Sequence, residues 1–387
     1  MNVSDTELRA LAAQHGTPLF VYSERYLRER ATVLTELVLP YGLTPRYAMK
    51  ANNHPDILRL FHEAGLHFDA SSSYEAVELL ELGVPGDHIS LSSQQPAHNL
   101  EELLRAGVLF VTTSLHQLRL FAETAGHGAE VGLRVNPGLG AGHNNRLMTG
   151  GANSSFGLWN SYVPEALAYA KEQGIRITRL HVHVGTGADP KMWDAATETA
   201  LDIAEQMPDV TSLDIGGGFK IRYYSDDQES DISAITNVFA ERLREFAART
   251  GRELNFEIEP GRWLVAHAGV LLAEVVDSVD TGPDGHRFLR LNTGMNDFIR
   301  AGMYGAQHQI DVLNDSEDTE RYVIAGHCCE TSDIMTPQTN DPENIEPRDM
   351  RKANIGDIVA IRDTGAYCQS MSTKGYNSFP PAPGILA

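Results

Sequence analysis

Short apolar runs ending in polar or glycine clusters recur along the first two thirds of the chain. The first closes in YAMKANN, with Lys50 at its end, and seven follow: HFDASSS, ISLSS, LFVTTS, VGLRVNP, LHVHVG, SLDIGGG and NFEIEPG. Amphipathic stretches of helical period separate most of them, among them PDILRLFHEAG, YEAVELLELG and NLEELLRAG. Strands alternating with helices of this length predict parallel βαβ units. Eight of them predict a closed (β/α)8 TIM barrel running from about Tyr47 to Arg262. PLFVYS, at Pro18 to Ser23, reads as a strand outside that count. Past the barrel the pattern turns all-β, with GVLLAEVVDSVD, HRFLRLNTG, RYVIAG and DIVAIRDTGAY set between Gly, Pro, Asn and Asp punctuation. The expected organisation is a barrel over residues 24–267 and a C-terminal β-domain over 268–387, joined by the N-terminal strand within 1–23.

Length agrees with two units, because 387 residues exceed the roughly 250 of a single barrel. No apolar run approaches the ~18 residues of a membrane span, and MNVSDTELRALAAQHG lacks the basic start and apolar centre of a secretory signal. Cys328 and Cys329 are adjacent and Cys368 stands alone, which gives neither a disulfide framework nor CxxC metal spacing. These features predict a reduced, cytoplasmic setting. With 31 basic against 52 acidic residues the formal charge is −21, which disfavours nucleic acid and anionic membrane as partners. An anionic ligand must then be held by local groups.

Chemistry in a TIM barrel gathers at the C-terminal strand ends, so the candidate residues are those closing each run. Lys50 is a candidate for a Schiff base with an aldehyde cofactor or carbonyl substrate; alone it could equally be a surface lysine. Its neighbours Ala48, Met49 and Ala51 predict partial burial, which would lower the lysine pKa and favour the amine. Gly216, Gly217 and Gly218 follow the seventh strand, where backbone N–H groups can converge on a phosphate. Glu259 ends the eighth strand in EIEPGR and could keep an aromatic nitrogen protonated, or pair with Arg262. His181 and His183 share a strand face, but no third ligand follows at metal spacing. A ring lying over a planar cofactor suits His183 better, with Thr186 as a phosphate donor, and no metal site is expected. Cys329 and Glu330 in GHCCETSD, Arg300 with Tyr304, and Tyr367 are further polar positions in the β-domain. An Arg–Tyr pair suits carboxylate recognition, and a cysteine beside a cofactor could protonate a carbanion.

In order along the chain, FVYS, YAMKANN, DASSSYE, HVHVG, DIGGGF, EPGR, IRAGMYGA, CETSD, GAYCQSMS and GYNSFPPAP resemble the fold type III pyridoxal-phosphate-dependent decarboxylases, whose fold is an alanine-racemase-like barrel plus a β-domain. Within that family the branch acting on diaminopimelate is the most similar. The resemblance implies pyridoxal 5'-phosphate bound through Lys50, with His183 stacked on its ring and Glu259 on its pyridine nitrogen. It places Asp69 and Glu75 beside the cofactor. It assigns the phosphate to Gly216, Gly217, Gly218, Gly261, Arg262, Thr186 and Tyr367. It makes Cys329 the proton donor after carbon dioxide leaves and Glu330 the reader of a distal amino group. Arg262, Arg300, Tyr304 and Tyr367 would hold the substrate, an amino acid. It further implies a head-to-tail homodimer in which Cys329 and Glu330 reach the neighbour's barrel. The implied reaction is conversion of meso-diaminopimelate to L-lysine and carbon dioxide. The alternative is an ornithine- or lysine-type decarboxylase, with a racemase or a non-catalytic homologue behind it.

Three segments depart from the family pattern. Ser154, Ser155, Phe156 and Gly157 stand where Ser-Lys-Phe-Gly is common. Ser73 and Tyr74 precede Glu75 in a turn that is usually glycine-rich. VGTGADP follows His183 in place of Gly-Ser-Gln. These changes bear on side-chain specificity and leave the catalytic set intact. A long Gly- and Asn-rich loop from Pro137 to Ser155 is a candidate cover for the site.

Overall fold

The structure is a computed structural model, described for residues 3–138, 151–183, 185–224 and 227–387; most of the Pro137–Ser155 loop lies outside the described residues. After an outlying strand β1 (Leu19–Tyr22) come the strands of one sheet: β2 (Leu43–Ala48), β3 (His67–Ala70), β4 (Ile89–Ser92), β5 (Leu109–Thr112), β6 (Glu130–Asn136), the short β7 (Leu158–Trp159), β8 (Arg176–Val182), β9 (Ser212–Asp214) and β10 (Asn255–Ile258). Their order is β5-β4-β3-β2-β10-β9-β8-β6, with β5 also paired to β6, so eight parallel strands close on themselves. These are the eight runs read from the pattern; β7 merely extends one edge.

The helices between them form where the sequence supplies caps. Ser72 accepts a hydrogen bond from the Glu75 N–H at the start of Ser73–Glu81. Asp189 caps Pro190–Glu205 and Asp231 caps Ile232–Thr250 in the same way. Pro55–Glu63 starts on a proline and buries Ile57, Leu58, Leu60 and Phe61 against the barrel.

The barrel interior is not filled by branched apolar side chains alone. Arg46 and Arg179 both bind the Glu257 carboxylate, and Arg179 also donates to Asp214 at 2.7 Å and to Ser90 Oγ at 2.6 Å. Parallel register places Glu257 beside Asp214 and His181 beside Asp214. This buried ionic layer forms the floor under the strand ends.

The second unit contains β11 (Gly269–Asp280), β12 (Arg287–Leu291), β13 (Ile310–Val312), β14 (Thr319–Ala325), β15 (Pro337–Gln338), β16 (Asp341–Ile345), β17 (Arg348–Arg351), β18 (Ile358–Arg362) and β19 (Gly384–Leu386). Its main sheet runs β13-β18-β11-β12-β14-β17. β1 joins it antiparallel to β11, with Leu19 opposite Leu272 and Tyr22 opposite Gly269. β19 adds in parallel on the other side of β1. The expected N-terminal strand is therefore part of the β-sheet, and the sequence pattern did not mark β13, β15, β16, β17 or β19.

The two units meet at the turn that carries Lys50. The Tyr367 N–H donates to the Ala51 carbonyl at 2.7 Å, and Ser370 Oγ donates to the Lys50 carbonyl at 2.9 Å. Asn52 Nδ2 donates to Gly365 O at 2.9 Å.

Candidate active site

Lys50 sits in a short 3₁₀ turn at the C-terminal end of β2, between the buried side chains of Met49 and Ala51. Its own side chain is 46% exposed, and Nζ lies 3.8 Å from Asp69 Oδ2, at the end of the adjacent β3. Desolvation acts to lower its pKa, as the flanking residues suggested. The anionic groups win nonetheless: Asp69, with Tyr367 and Glu259, holds the Lys50 ammonium above the ordinary lysine value. The expectation of a depressed pKa is corrected on that ground: the charge of Asp69, which comes from another strand, together with Tyr367 and Glu259 outweighs the desolvation that the flanking residues suggested.

Among the described residues, several buried polar atoms near Lys50 lack a hydrogen bond, although His181 Nε2 stands 3.5 Å from Glu259 Oε2. Glu259 Oε1, Asp69 Oδ1, His183 Nδ1 and both ring nitrogens of His181 make no hydrogen bond. Burial, then repulsion from Asp214 and Asp69, raises the Glu259 carboxyl well above the usual range. Burial, with Arg134 and Lys50 adding repulsion, holds both His181 and His183 neutral, well below the ordinary histidine value. Buried polar atoms are normally satisfied, so unpaired ones at a barrel mouth mark where a ligand belongs. His181, Asp214 and Glu259 bring donor atoms within 4.8 Å of one another, a set that could hold a metal ion. The positive charges of Arg134 and Arg179 act on the same trio and oppose a cation there.

Arg134, on β6, was not singled out in the sequence. It is buried, its guanidinium lies 5.0 Å from the Phe156 ring centre, and its charge acts on Glu259 and Asp69. Within VGLRVNP it reads only as one polar residue in a strand.

The triple-glycine turn is built for close approach. Gly216 and Gly218 have φ of 76° and 108°, a region that only glycine enters freely. A Cβ at Gly216 would collide with the His183 ring, at Gly217 with the Glu259 carbonyl, and at Gly218 with the Gly185 carbonyl. The Asp214 carboxylate accepts the Gly216 N–H at 2.8 Å and fixes the turn. Gly261 lets the EPGR turn pack on Ala48 and Ala51, beside Lys50. The orphaned Glu259 and His183 atoms, the open glycine turn and a lysine amine above them fit a phosphorylated aromatic aldehyde.

A cavity of about 840 Å³ opens next to this turn, lined among others by Thr186, Arg262, Arg300, Tyr304 and Tyr367. The Arg262 guanidinium lies 5.5 Å from the Tyr367 ring. Arg300 is buried with Nε unpaired. Its hydrogen-bond partner is the Tyr223 hydroxyl at 3.4 Å, not Tyr304; Tyr223 also lines the cavity and was missed because its segment follows the glycine turn without any motif. Tyr304 O–H instead approaches Met371 Sδ at 4.0 Å. Glu75 accepts the Ser71 N–H at 2.6 Å, and burial pushes its carboxyl up to about 7. Cys329 and Glu330 do not line this cavity; both are exposed on the β-domain.

The family model for the pyridoxal-binding domain of pyridoxal-dependent decarboxylases matches residues 26–266. The chain belongs to that family, and its cofactor is pyridoxal phosphate. Its full-length relatives include the diaminopimelate decarboxylase of Streptomyces coelicolor, 34% identical over 98% of this chain and 86% of that protein. The diaminopimelate decarboxylase of Methanothermobacter thermautotrophicus is also 34% identical, over 97% and 88%. Among solved structures, Helicobacter pylori diaminopimelate decarboxylase complexed with L-lysine is 25% identical with a TM-score of 0.88, covering 98% of this chain and 94% of that one. A crystal structure of another diaminopimelate decarboxylase is 29% identical with a TM-score of 0.91, covering 99% and 91%.

Proposed function

We propose that this carboxy-lyase converts meso-diaminopimelate to L-lysine and carbon dioxide. The observation that carries the reading is the full-length similarity to diaminopimelate decarboxylases. The buried Arg300, which pairs with no carboxylate among the described residues and lines the cavity with Arg262, is consistent with it.

When bound, the cofactor supplies an electron sink for the pair left behind by carbon dioxide. The remaining work falls to side chains. Lys50 is the residue that would hold the cofactor through its amine. Glu259, too deeply buried to ionise readily alone, gains a cationic partner when the pyridine nitrogen carries a proton, which favours its carboxylate form. His183, neutral and packed against Gly216, would lie beside the cofactor. Gly216, Gly217, Gly218, Gly261, Arg262, Thr186 and Tyr367 receive the phosphate, with Asp69 and Glu75 beside the lysine. Arg300 and Tyr304, with Arg262 and Tyr367, orient the substrate through its carboxylates.

Cys329 would return a proton to the α-carbon, and Glu330 would read the distal ammonium. Both lie outside their own cavity, so the reading includes a homodimer in which a second copy presents them. Among the described residues no helix is long and apolar enough to cross a membrane, in keeping with a cytoplasmic biosynthetic enzyme. The test is incubation of the pyridoxal-phosphate-loaded protein with meso-diaminopimelate. Formation of one lysine per carbon dioxide is expected; no turnover of that substrate would overturn the reading.

A further inference from the structure

The turn carrying Cys329 and Glu330 is held from two directions by side chains to which the reading above gives no task. Asn377 Oδ1 accepts the Cys329 backbone N–H at 2.7 Å. Asp333 Oδ2 accepts the N–H of the preceding residue, Cys328, at 2.8 Å, while its Oδ1 accepts the Met295 N–H at 2.7 Å. Asp333 is buried, and a Cβ at Gly294 or Gly326 would collide with its carboxylate. Two successive peptides are thus pinned by side chains that arrive from separate segments.

Other bonds hold the start of this segment, where the His327 N–H donates to the Thr293 carbonyl at 3.1 Å and Cys328 Sγ approaches Asn296 Oδ1 at 3.5 Å, but the Cys329 N–H itself goes to Asn377. Glu330 is exposed; its Oε1 accepts from Thr331 Oγ1 at 3.3 Å and from the Ser332 N–H and Oγ at 3.4 and 3.3 Å, and its side chain also meets Tyr376. Asn377 adopts φ 50° and ψ 18°, between Gly375 and Ser378, which also have positive φ. Asparagine tolerates that left-handed region better than most residues, and glycine better still. The backbone therefore explains why a small or Asx residue stands there. It does not explain an amide oxygen aimed at the one peptide that bears the Cys329 thiol.

We propose that Asn377 is a positioning residue for the reaction: by fixing the Cys329 peptide it sets the direction of the Cys329 thiol, with Asp333 fixing the peptide before it. The proposal rests on the reading of Cys329 as proton donor and adds what aims it. Misplacement of a reacting group by about 1 Å can cost about 100-fold in rate, and loss of one of two tethers is a smaller disturbance.

Asn377→Gly tests this cleanly, because glycine keeps the left-handed backbone without strain and deletes only the acceptor. In the holoenzyme, kcat is expected to fall about tenfold with KM within about twofold, since aim and not binding is lost. Alkylation of Cys329 by iodoacetamide, located by mass spectrometry, is expected to speed up by about threefold or more as the released turn opens. Asn377→Asp, which retains an acceptor oxygen, recovers most of both effects. Wild-type kcat together with wild-type alkylation in Asn377→Gly would overturn the proposal. Cys329→Ala, run alongside, separates the two claims: wild-type kcat in that variant removes the proton-donor reading, while the alkylation rate in Asn377→Gly still decides whether Asn377 fixes the turn.

Discussion

Lys50 Nζ stands 3.8 Å from Asp69 Oδ2, a contact made across adjacent strands whose register sets Ala48 beside Asp69. The pair keeps the amine protonated until an aldehyde arrives. Removing the Asp69 charge lowers the Lys50 pKa, so at a given pH more free amine is present. Asp69→Asn is therefore expected to move the pH midpoint of pyridoxal phosphate capture downward, followed by absorbance at the visible edge. Lys50→Ala should lose that absorbance altogether. An unchanged yellow protein in Lys50→Ala would show that another group holds the aldehyde.

Among the described residues, Arg300 is buried, leaves Nε without a hydrogen bond and meets no carboxylate. Truncating a buried charge that pairs with a ligand costs about 2–5 kcal/mol. Arg300→Ala should accordingly raise KM for diaminopimelate by about 30-fold or more, and raise it far less for a diamino acid without the distal carboxylate. Steady-state kinetics on the two substrates check this. Equal effects on both would remove Arg300 from carboxylate recognition.

Cys329 and Glu330 are exposed in one copy and absent from its cavity. If a second copy presents them, Lys50→Ala and Cys329→Ala are defective in different parts of a shared site. Mixing the two inactive variants under subunit exchange forms heterodimers with one intact site each, giving about a quarter of wild-type activity for random pairing. No recovery after verified exchange would mean that each chain completes its own site.

How much of this was open to sequence reasoning follows from distance along the chain. The eight barrel strands were legible because each is a local apolar run closed by a polar cluster, and the joining of β1 to the β-domain followed from an unassigned strand beside an all-β tail, though its partner β11 did not. The lysine's protonation was not legible. Ala48, Met49 and Ala51 are its sequence neighbours, but Asp69 and Glu259 reach it only through barrel closure. The same holds for the Arg179–Glu257 layer, whose partners stand 78 residues apart, and for Tyr223 against Arg300, 77 apart. β19 spans only Gly384–Leu386, too short for a period to register, and is defined by its partner.

Glu75 gives a pH signature in the cofactor-free protein. Burial raises its carboxyl from an ordinary 4.5 to about 7 in the folded state. The folded protein then holds a proton that the unfolded chain has released between those values, so stability falls as pH rises from about 4.5 to about 7. The slope from this group is at most about 1.4 kcal/mol per pH unit. Glu75→Gln should flatten that part of the stability curve, measured by urea unfolding of the apoprotein at several pH values. An unaltered slope would place the ionised carboxylate in the folded state throughout.

The most direct measurement is a competition. The holoenzyme receives meso-diaminopimelate, ornithine and lysine together in equal amounts, with carbon dioxide release and products followed by mass. The account predicts that diaminopimelate is consumed first and new L-lysine appears in step with carbon dioxide. Putrescine or cadaverine forming while diaminopimelate stays untouched would contradict it.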